Sequence, residues 1–243
     1  MRNINFLKKL KKIIPNNIKP KFQHDHDVLI WNKKEGQLFC QSIIKKNKEI
    51  KIQHMLKRSG IKELYINCSF DNYKIEHEGH KKVVKFSKQY AQEFDNHRDS
   101  FIFSGWPGTG KNHLASAIGN YLIRKQKSVL IITIADLMSS IKKTFNKLYL
   151  KNTEENLLNY FSTVDLLIID EIGIQIESRY EKMIMHQIID RRSSSKKSTG
   201  ILSNLNYQDM YNLLGGRIMD RIFVEHRLWL NFKWNSYRQN NKK

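Results

Sequence analysis

The chain has 243 residues, of which 40% are hydrophobic, and it carries a formal net charge of +20. This length allows one large domain, or one domain of about 150–200 residues together with a smaller one. No apolar run approaches the ~18 residues of a membrane span, and the basic N-terminus has no continuous apolar core, so a membrane partner and a secretory signal are not expected. Cys40 and Cys68 lie far apart, which favours a reduced, cytoplasmic setting without a disulfide framework.

The positive charge is concentrated near the N-terminus. Residues 1–60 hold 15 Lys and Arg against 4 Asp and Glu. A polyanionic partner is one explanation. A composition rich in Lys, Asn and Ile, as AT-biased coding produces, is the other. The uneven distribution nevertheless indicates a separate functional segment.

Residues 1–60 are interpreted as a small all-α domain. Apolar residues recur at helical spacing up to Ile14, and Pro15 ends that run. A second helical stretch covers residues 27–58, in which Gly36 is a candidate for a break or bend. Residues 61–79 look irregular and are interpreted as a linker.

A second domain is predicted over residues 80–243. It begins with an amphipathic helix outlined by apolar residues within 83–94. From residue 100 onward, short apolar strands alternate with helices, which is typical of a mostly parallel sheet covered on both faces, an α/β fold. The predicted strands are 100–105, 128–134, 165–171, 200–204 and 227–232, and the predicted helices are 111–122, 135–145, 154–161 and 177–190.

A glycine-rich loop, GWPGTGKNH, lies between the first of these strands and the next helix. Its spacing is that of a phosphate-binding loop, and its N–H groups and the helix N-terminus can cradle phosphates. Lys111 would reach the β- and γ-phosphates of ATP. A glycine-rich turn without a ligand is the alternative. The candidates for binding ATP or ADP are Gly105, Trp106, Pro107, Gly108, Thr109, Gly110, Lys111, Asn112 and His113.

Two carboxylates follow the third predicted strand, in the run LLIIDE. Asp170 and Glu171 should therefore lie at the carboxyl edge of the sheet, where ligands bind in open α/β folds. Asp170 would hold Mg²⁺, directly or through water, and Glu171 would polarise the attacking water. The loop and the acidic pair together predict an ATPase.

Asn112 departs from the general loop pattern, which has Ser or Thr at this position. The usual hydroxyl is a magnesium ligand, and Asn offers a carbonyl oxygen instead. Oxygen is still the donor that Mg²⁺ prefers. We therefore expect the substitution to weaken or rearrange metal binding rather than to abolish nucleotide binding.

Several runs closely resemble the bacterial DnaC-type replicative helicase loaders, which are AAA+ ATPases: SGWPGTGKNHLASAIGNYLI, KSVLIITIADLM, LLIIDEIG, IIDRRSSSK and GGRIMDRI. The likeness extends over essentially the whole chain, including NCSFDNY at 67–73, and loaders of this type also carry Asn after the loop lysine. It implies a parallel sheet of order 5-1-4-3-2 and a nucleotide shared between subunits. It also implies that Asn204 is the first sensor, Arg221 the arginine finger offered to the next subunit, and Arg238 the second sensor.

The resemblance further implies partners. These are a hexameric replicative DNA helicase, single-stranded DNA, and further copies of this chain in a spiral on the helicase, with hydrolysis weak until assembly. An extra helix, inserted directly after the acidic pair, is implied to steer that spiral. Positions that match helicase contacts are Leu7, Leu10 and Trp31, for which core packing of the small domain is the alternative. Positions that match contacts to single-stranded DNA are Lys142, Phe145, Ser178 and Tyr180, for which ordinary helix surface or core packing is the alternative.

Other interpretations stay open at this point. A transposase-helper ATPase of the IstB type shares the core but acts on duplex DNA, and a nucleotide-binding adaptor would never hydrolyse ATP. The N-terminal module and NCSFDNY favour the loader. RRSSSKK at 191–197 is either a phosphate track or a helix end followed by a solvated loop. The pairs HDH (24–26) and HEGH (77–80) lack further ligands at zinc spacing.

Overall fold

A computed structural model describes residues 25–97, 99–144, 153–173, 178–222 and 228–237, except the side chains of residues 25–32, 34 and 97. The chain divides into two compact units, Met1–Ile50 and Lys51–Lys243. The elements, in chain order, are α1 (Asp25–Arg58), a 3₁₀ helix (Glu63–Tyr65), α2 (Glu78–His97), β1 (Phe101–Gly105), α3 (Lys111–Arg124), β2 (Val129–Thr133), α4 (Ile134–Lys142), α5 (Glu154–Thr163), β3 (Leu166–Ile172), α6 (Arg179–Ser194), β4 (Ser198–Ser203), α7 (Tyr207–Leu214), α8 (Gly216–Ile222) and β5 (Leu228–Phe232).

The five strands form one parallel sheet in the order β2-β3-β4-β1-β5. This is the predicted order read from the opposite edge, so the α/β prediction and the strand order are both confirmed. Successive residues of β1 point to opposite faces, and each face is covered by its own apolar core. Ile102 packs with α4 to α8 on one face. Phe101 and Phe103 pack with α2 and α3 on the other.

The predicted helical run that ends at Pro15 lies outside the described residues. The other helices predicted from periodicity are present, and α1 continues through Gly36 without a break. Two helices were not predicted, α7 and α8, which lie between β4 and β5. No separate helix precedes α6 among the described residues, because Ser178 caps α6 and residues 174–177 lie outside the description. The predicted division at residues 60 and 80 stays a prediction.

The segment 61–79 is held against the rest of the second unit by specific contacts. Nδ2 of Asn120 donates to the carbonyl oxygens of Tyr65 and Cys68, at 3.1 and 2.9 Å. Phe70 and Tyr73 are buried in the core beneath α2 and α3. These contacts place the segment beside the glycine-rich loop.

The residues just before this segment cover the outer edge of β2. The N–H of Ile131 donates to the carbonyl oxygen of Ser59 at 2.7 Å. Gly60 has a φ of +69°, and a Cβ there would collide with the Ile131 carbonyl oxygen. The close approach therefore requires glycine.

Arg192 is fully buried and joins three elements at the amino-terminal end of the sheet. Its guanidinium donates to the carbonyl oxygens of Phe161 and Val164, at 2.7 and 2.9 Å, and to that of Ser198. Burial lowers its pKa to about 9. Neighbouring Arg191 forms an exposed ion pair with Glu155, so the described geometry of RRSSSKK favours the helix-end interpretation.

We expect Arg192→Met to lower the free energy of unfolding by about 3 kcal/mol. Three buried carbonyl groups would lose their donor, and each such loss costs about 1–3 kcal/mol. Urea unfolding followed by circular dichroism measures the change. Arg191→Met is the matched control, and its loss should be much smaller because its ion pair is exposed. Equal losses would contradict the structural role of Arg192.

Candidate functional site

The glycine-rich loop connects β1 to α3, as predicted, and Lys111 is the first residue of α3. Its side chain is almost completely buried, with 6% of the residue exposed. Nζ donates to the carbonyl oxygens of Gly105 and Trp106, at 2.6 and 2.8 Å, and to Oδ1 of Asn204 at 3.0 Å. These oxygens offset the cost of burying the charge. Lys111 and Asn204 are therefore brought together.

The loop has the shape of a phosphate cradle. Gly105, Gly108 and Gly110 all have positive φ, at +139°, +77° and +94°. A Cβ on Gly108 would collide with Ser236, and one on Gly110 would come within 2.6 Å of the Tyr73 hydroxyl oxygen. Within the described residues, the N–H groups of Gly108 and Gly110 donate to no protein acceptor. This set of donors fits the phosphates of a nucleotide.

Asn112 and Asp170 face each other beside the loop. Nδ2 of Asn112 donates to Oδ2 of Asp170 at 2.6 Å. Each side chain carries oxygen, the donor type that Mg²⁺ prefers. The pair therefore fits a magnesium ion that accompanies the phosphates.

Glu171 lies at an irregular point of β3. The register between β3 and β4 shifts between Ile169 and Ile172. Glu171 has a φ of +62°, which is rare for a residue other than glycine, and its N–H donates to Oδ1 of Asp170 at 2.7 Å. Such strained residues cluster at functional sites. The exposed carboxylate of Glu171 could polarise a water molecule at this edge.

A cavity of about 430 Å³ adjoins the loop and is walled by aromatic side chains. The hydroxyl of Tyr73 and the indole N–H of Trp234 both donate to the Thr109 carbonyl oxygen, each at 3.0 Å. The ring of His80 meets that of Trp234 edge-on, with centroids 4.6 Å apart. The size and apolar walls of the cavity suit a nucleobase whose phosphates are bound in the loop. Sequence reasoning missed this wall, for which the aromatic residues of NCSFDNY and KWNSY were the available signal.

His113, a predicted nucleotide-binding residue, turns toward the segment before α2. Its Nε2 lies 3.1 Å from the Ser69 carbonyl oxygen and 3.0 Å from Oδ1 of Asn72. Burial lowers the pKa of His113, and both partners are acceptors, so a neutral ring with Nε2–H fits this position. His113 ties that segment to α3.

Three of the four predicted DNA-binding residues already have partners within the chain. Lys142 forms an ion pair with Glu181 at 2.9 Å. The Ser178 hydroxyl accepts from the Glu181 N–H and so caps α6. The Tyr180 hydroxyl donates to Glu154 at 3.0 Å, and burial together with this bond raises the pKa of Tyr180 to about 12. Three of the four candidates thus lie close together, and their role in binding DNA stays a prediction.

The remaining predicted residues lie elsewhere. Arg221 pairs with Asp190 and is not among the contacts of the loop. Trp31 belongs to α1, but its side chain lies outside the description. Four predicted site residues fall outside the described residues altogether: Leu7, Leu10, Phe145 and Arg238.

The described part of the chain contains no group of three or more His, Cys, Asp or Glu side chains arranged to hold a metal ion. In the pair HEGH, the rings of His77 and His80 stack with centroids 3.8 Å apart. None of the described helices combines the length and the apolar character that crossing a lipid bilayer would require.

Comparison with known proteins gives consistent results. Residues 38–243 match the family described as IstB-like ATP binding protein. The replicative helicase loader DnaC of Buchnera aphidicola subsp. Baizongia pistaciae is 63% identical, over 98% of this chain and 97% of that protein. The DnaC of Escherichia coli K12 is 50% identical, with 98% of this chain and 97% of that protein covered. A crystal structure of the DnaC helicase loader superposes with a TM-score of 0.62 at 21% identity, covering 71% of this chain and 100% of that one. The AAA+ fold is thereby confirmed.

We expect Asn112→Ala to raise the Mg²⁺ concentration for half-maximal ATP binding by about tenfold or more, since a ligand to the metal would be lost. ATP binding in EDTA should change less than about twofold, because Lys111 and the loop remain. Titration with a fluorescent ATP analogue at fixed Mg²⁺ concentrations measures both. Ser116→Ala, one turn along α3, is the matched control. The same magnesium requirement in both variants would rule out Asn112 as a ligand.

Proposed function

Because the chain belongs to the family of DnaC-type replicative helicase loaders, we propose that it binds a hexameric replicative DNA helicase, opens the ring and places it on single-stranded DNA in DNA replication. ATP acts as a switch more than as fuel in this proposal. The ATP-bound loader holds the helicase in an inhibited complex on DNA. Hydrolysis or release of the nucleotide then frees the helicase.

The observation that carries this proposal is the extent of the relatedness. The IstB-like family description covers residues 38–243. The relatives named as helicase loaders are similar over 98% of the chain, and so also over its basic N-terminal part. A nucleotide core alone would be shared with transposase helpers. Relatedness through the N-terminal part favours a loader.

The residues at the sheet edge support ATP binding with a magnesium ion. Bound with ATP, this ion would supply charge neutralisation between the phosphates. The loop N–H groups and Lys111 would bind the phosphates, and Asn112 and Asp170 would hold the ion. Glu171 would orient the attacking water, and Asn204 would contact the terminal phosphate.

In this proposal, a second copy of the chain completes the nucleotide site. Arg221 lies on α8 and, within the described contacts, pairs with Asp190 rather than with the loop of its own chain. A donated arginine finger is worth about 10³–10⁵ in rate in other nucleotide hydrolases. Weak hydrolysis in the single chain, stimulated by assembly on the helicase and single-stranded DNA, follows from this arrangement.

The rival proposals predict different behaviour. A transposase helper would bind duplex DNA and would not associate with the replicative helicase. A nucleotide-binding adaptor would bind ATP but show no turnover in the presence of single-stranded DNA. Co-elution with the helicase separates the transposase helper from the loader, and turnover measured with single-stranded DNA present separates the adaptor.

We expect this protein to co-elute with the replicative helicase of the same cell in size-exclusion chromatography with light scattering. Loss of residues 1–50 should abolish co-elution. The deletion ends there because the Ser59 carbonyl oxygen bonds to β2 and residues from 51 belong to the second unit. Trp31→Ala in the full chain should also abolish helicase binding, because an aromatic anchor at an interface contributes much of the affinity.

ATP binding is the control for these variants, and it should remain at the wild-type level. Loss of both ATP and helicase binding would make Trp31 a packing residue. Absence of co-elution for the wild-type chain under both ATP and ADP would refute the loader proposal. Binding to duplex DNA would then be tested.

We expect the double variant Tyr180→Ala/Phe145→Ala to bind single-stranded DNA at least about thirtyfold more weakly, since base stacking contributes about 1–3 kcal/mol for each aromatic ring and two rings are lost. Tyr180→Phe keeps the ring and loses the hydroxyl with its bond to Glu154, so its affinity should stay near wild type. Lys142→Gln should lower the slope of log affinity against log salt concentration by about 1, the value expected for the loss of one phosphate contact. Fluorescence anisotropy at several salt concentrations measures all three. Wild-type affinity and wild-type salt slope throughout would exclude this surface as the DNA site.

A further inference from the structure

One carboxylate, Asp190, holds two arginines of α8. Asp190 lies on α6, and Arg217 and Arg221 are one helical turn apart on α8, which packs against α6. Nη2 of Arg217 donates to Oδ2 of Asp190 at 2.7 Å. Nε of Arg221 lies 2.5 Å from Oδ1 of the same carboxylate.

The two contacts differ in kind. The contact to Arg217 is an aligned hydrogen bond. Oδ1 of Asp190 is buried and has no aligned hydrogen-bond donor among the described residues, so its contact with Arg221 is an ion pair between close charges. Arg217 is the more exposed arginine, with 66% of its side chain accessible against 34% for Arg221. Arg217 thus anchors the carboxylate, and the carboxylate faces Arg221.

The contact engages Arg221 through Nε, the nitrogen nearest the aliphatic stem. The two terminal nitrogens form the fork with which an arginine binds phosphate. A carboxylate beside Nε fixes the stem and leaves this fork as the part that can meet a phosphate. Without it, a long arginine side chain samples many rotamers, and ordering it on binding has an entropic cost.

We propose that Asp190 is a positioning residue for the arginine finger: it orients the Arg221 side chain in one subunit toward the ATP bound in the next. This inference rests on the proposed function, in which Arg221 acts in trans. The inference assigns to the finger a second residue, Asp190, which lies on α6 and not on α8. Arg217 then serves to hold the Asp190 carboxylate in place. Asp190 itself touches neither ATP nor the reacting atoms.

Mixed assemblies on the helicase and single-stranded DNA test the proposal. The acceptor is the Arg221→Ala chain, which has a complete nucleotide site and no finger. The donor is the Lys111→Ala chain, which offers a finger but cannot turn over ATP. Mixing the two should restore turnover. A donor that also carries Asp190→Ala should restore at least about tenfold less, because a misplacement of about 1 Å can cost about 10²-fold.

This design removes effects of Asp190 on its own nucleotide site, because the donor site is already inactive. A donor with Asp190→Asn keeps the shape of the side chain but loses the charge that faces Nε, so the turnover it restores should be about threefold or more below that restored by the original donor. Asp220→Asn, an exposed carboxylate next to Arg221 on the same helix, is the matched control for the change in charge. It should restore turnover fully. Co-elution of every donor with the helicase verifies that it folds and assembles.

Unmixed variants separate failure of this inference from failure of the finger. Arg221→Ala and the double variant Asp190→Ala/Arg221→Ala should have the same kcat, since Asp190 acts through Arg221. Wild-type kcat in Arg221→Ala would overturn the finger and, with it, the role of Asp190. If Arg221→Ala is slow but Asp190→Ala turns over ATP as fast as the wild type or faster, only the positioning role of Asp190 is overturned. A double variant slower than Arg221→Ala would also overturn it.

Discussion

A buried ammonium group needs oxygen partners, and the partners of Lys111 determine the geometry of the nucleotide edge. Two are carbonyl oxygens at the end of β1 and the start of the loop, and the third is Oδ1 of Asn204. Asn204 can reach Lys111 because β1 pairs with β4 in a register that sets Ser104 opposite Ser203. A slip of one residue would turn the side chains of β4 to the other face of the sheet. The register is therefore a functional constraint as well as a packing one.

The carbonyl oxygen of Thr109 links the loop to two segments that are far apart in sequence. It accepts hydrogen bonds from Tyr73, which precedes α2, and from Trp234, which follows β5. A carbonyl oxygen has two lone pairs, so one loop atom can hold both aromatic side chains. A base in the cavity that both residues line would lie beside both segments at once. Nucleotide binding at this cavity would thus act on both ends of the ATPase domain.

The sequence predicted the parts of this site that lie close together along the chain. Lys111 and Asn112 follow the loop directly, and the acidic pair ends a strand whose apolar run is unmistakable. The aromatic wall was missed because Tyr73 and Trp234 lie far apart in sequence and come together at Thr109 and His80 only in the folded chain. The helices α7 and α8 were missed because they have only 8 and 7 residues, which is short for a periodic pattern, and Gly215 separates them.

The local sequence pattern also could not predict which side chains are buried. RRSSSKK looks like a solvated basic run, yet Arg192 within it is fully buried and Arg191 is paired on the surface. Which of two adjacent arginines turns inward depends on carbonyl groups contributed by the end of α5 and the start of β4. Similarly, Ser178 matched a DNA-binding position by sequence, but its hydroxyl forms a capping box with Glu181 in the structure.

Asn112 shows how a side chain that departs from the general loop pattern can still suit the site. An amide has both a donor and an acceptor, whereas a carboxylate facing Asp170 would place two negative charges together. With its nitrogen toward Asp170, as in this structure, Asn112 satisfies the carboxylate by a hydrogen bond of 2.6 Å. Its carbonyl oxygen is a group that a magnesium ion could use. A hydroxyl offers the same two functions in a shorter side chain, so Asn in place of Ser or Thr alters the reach of this residue and keeps its chemistry.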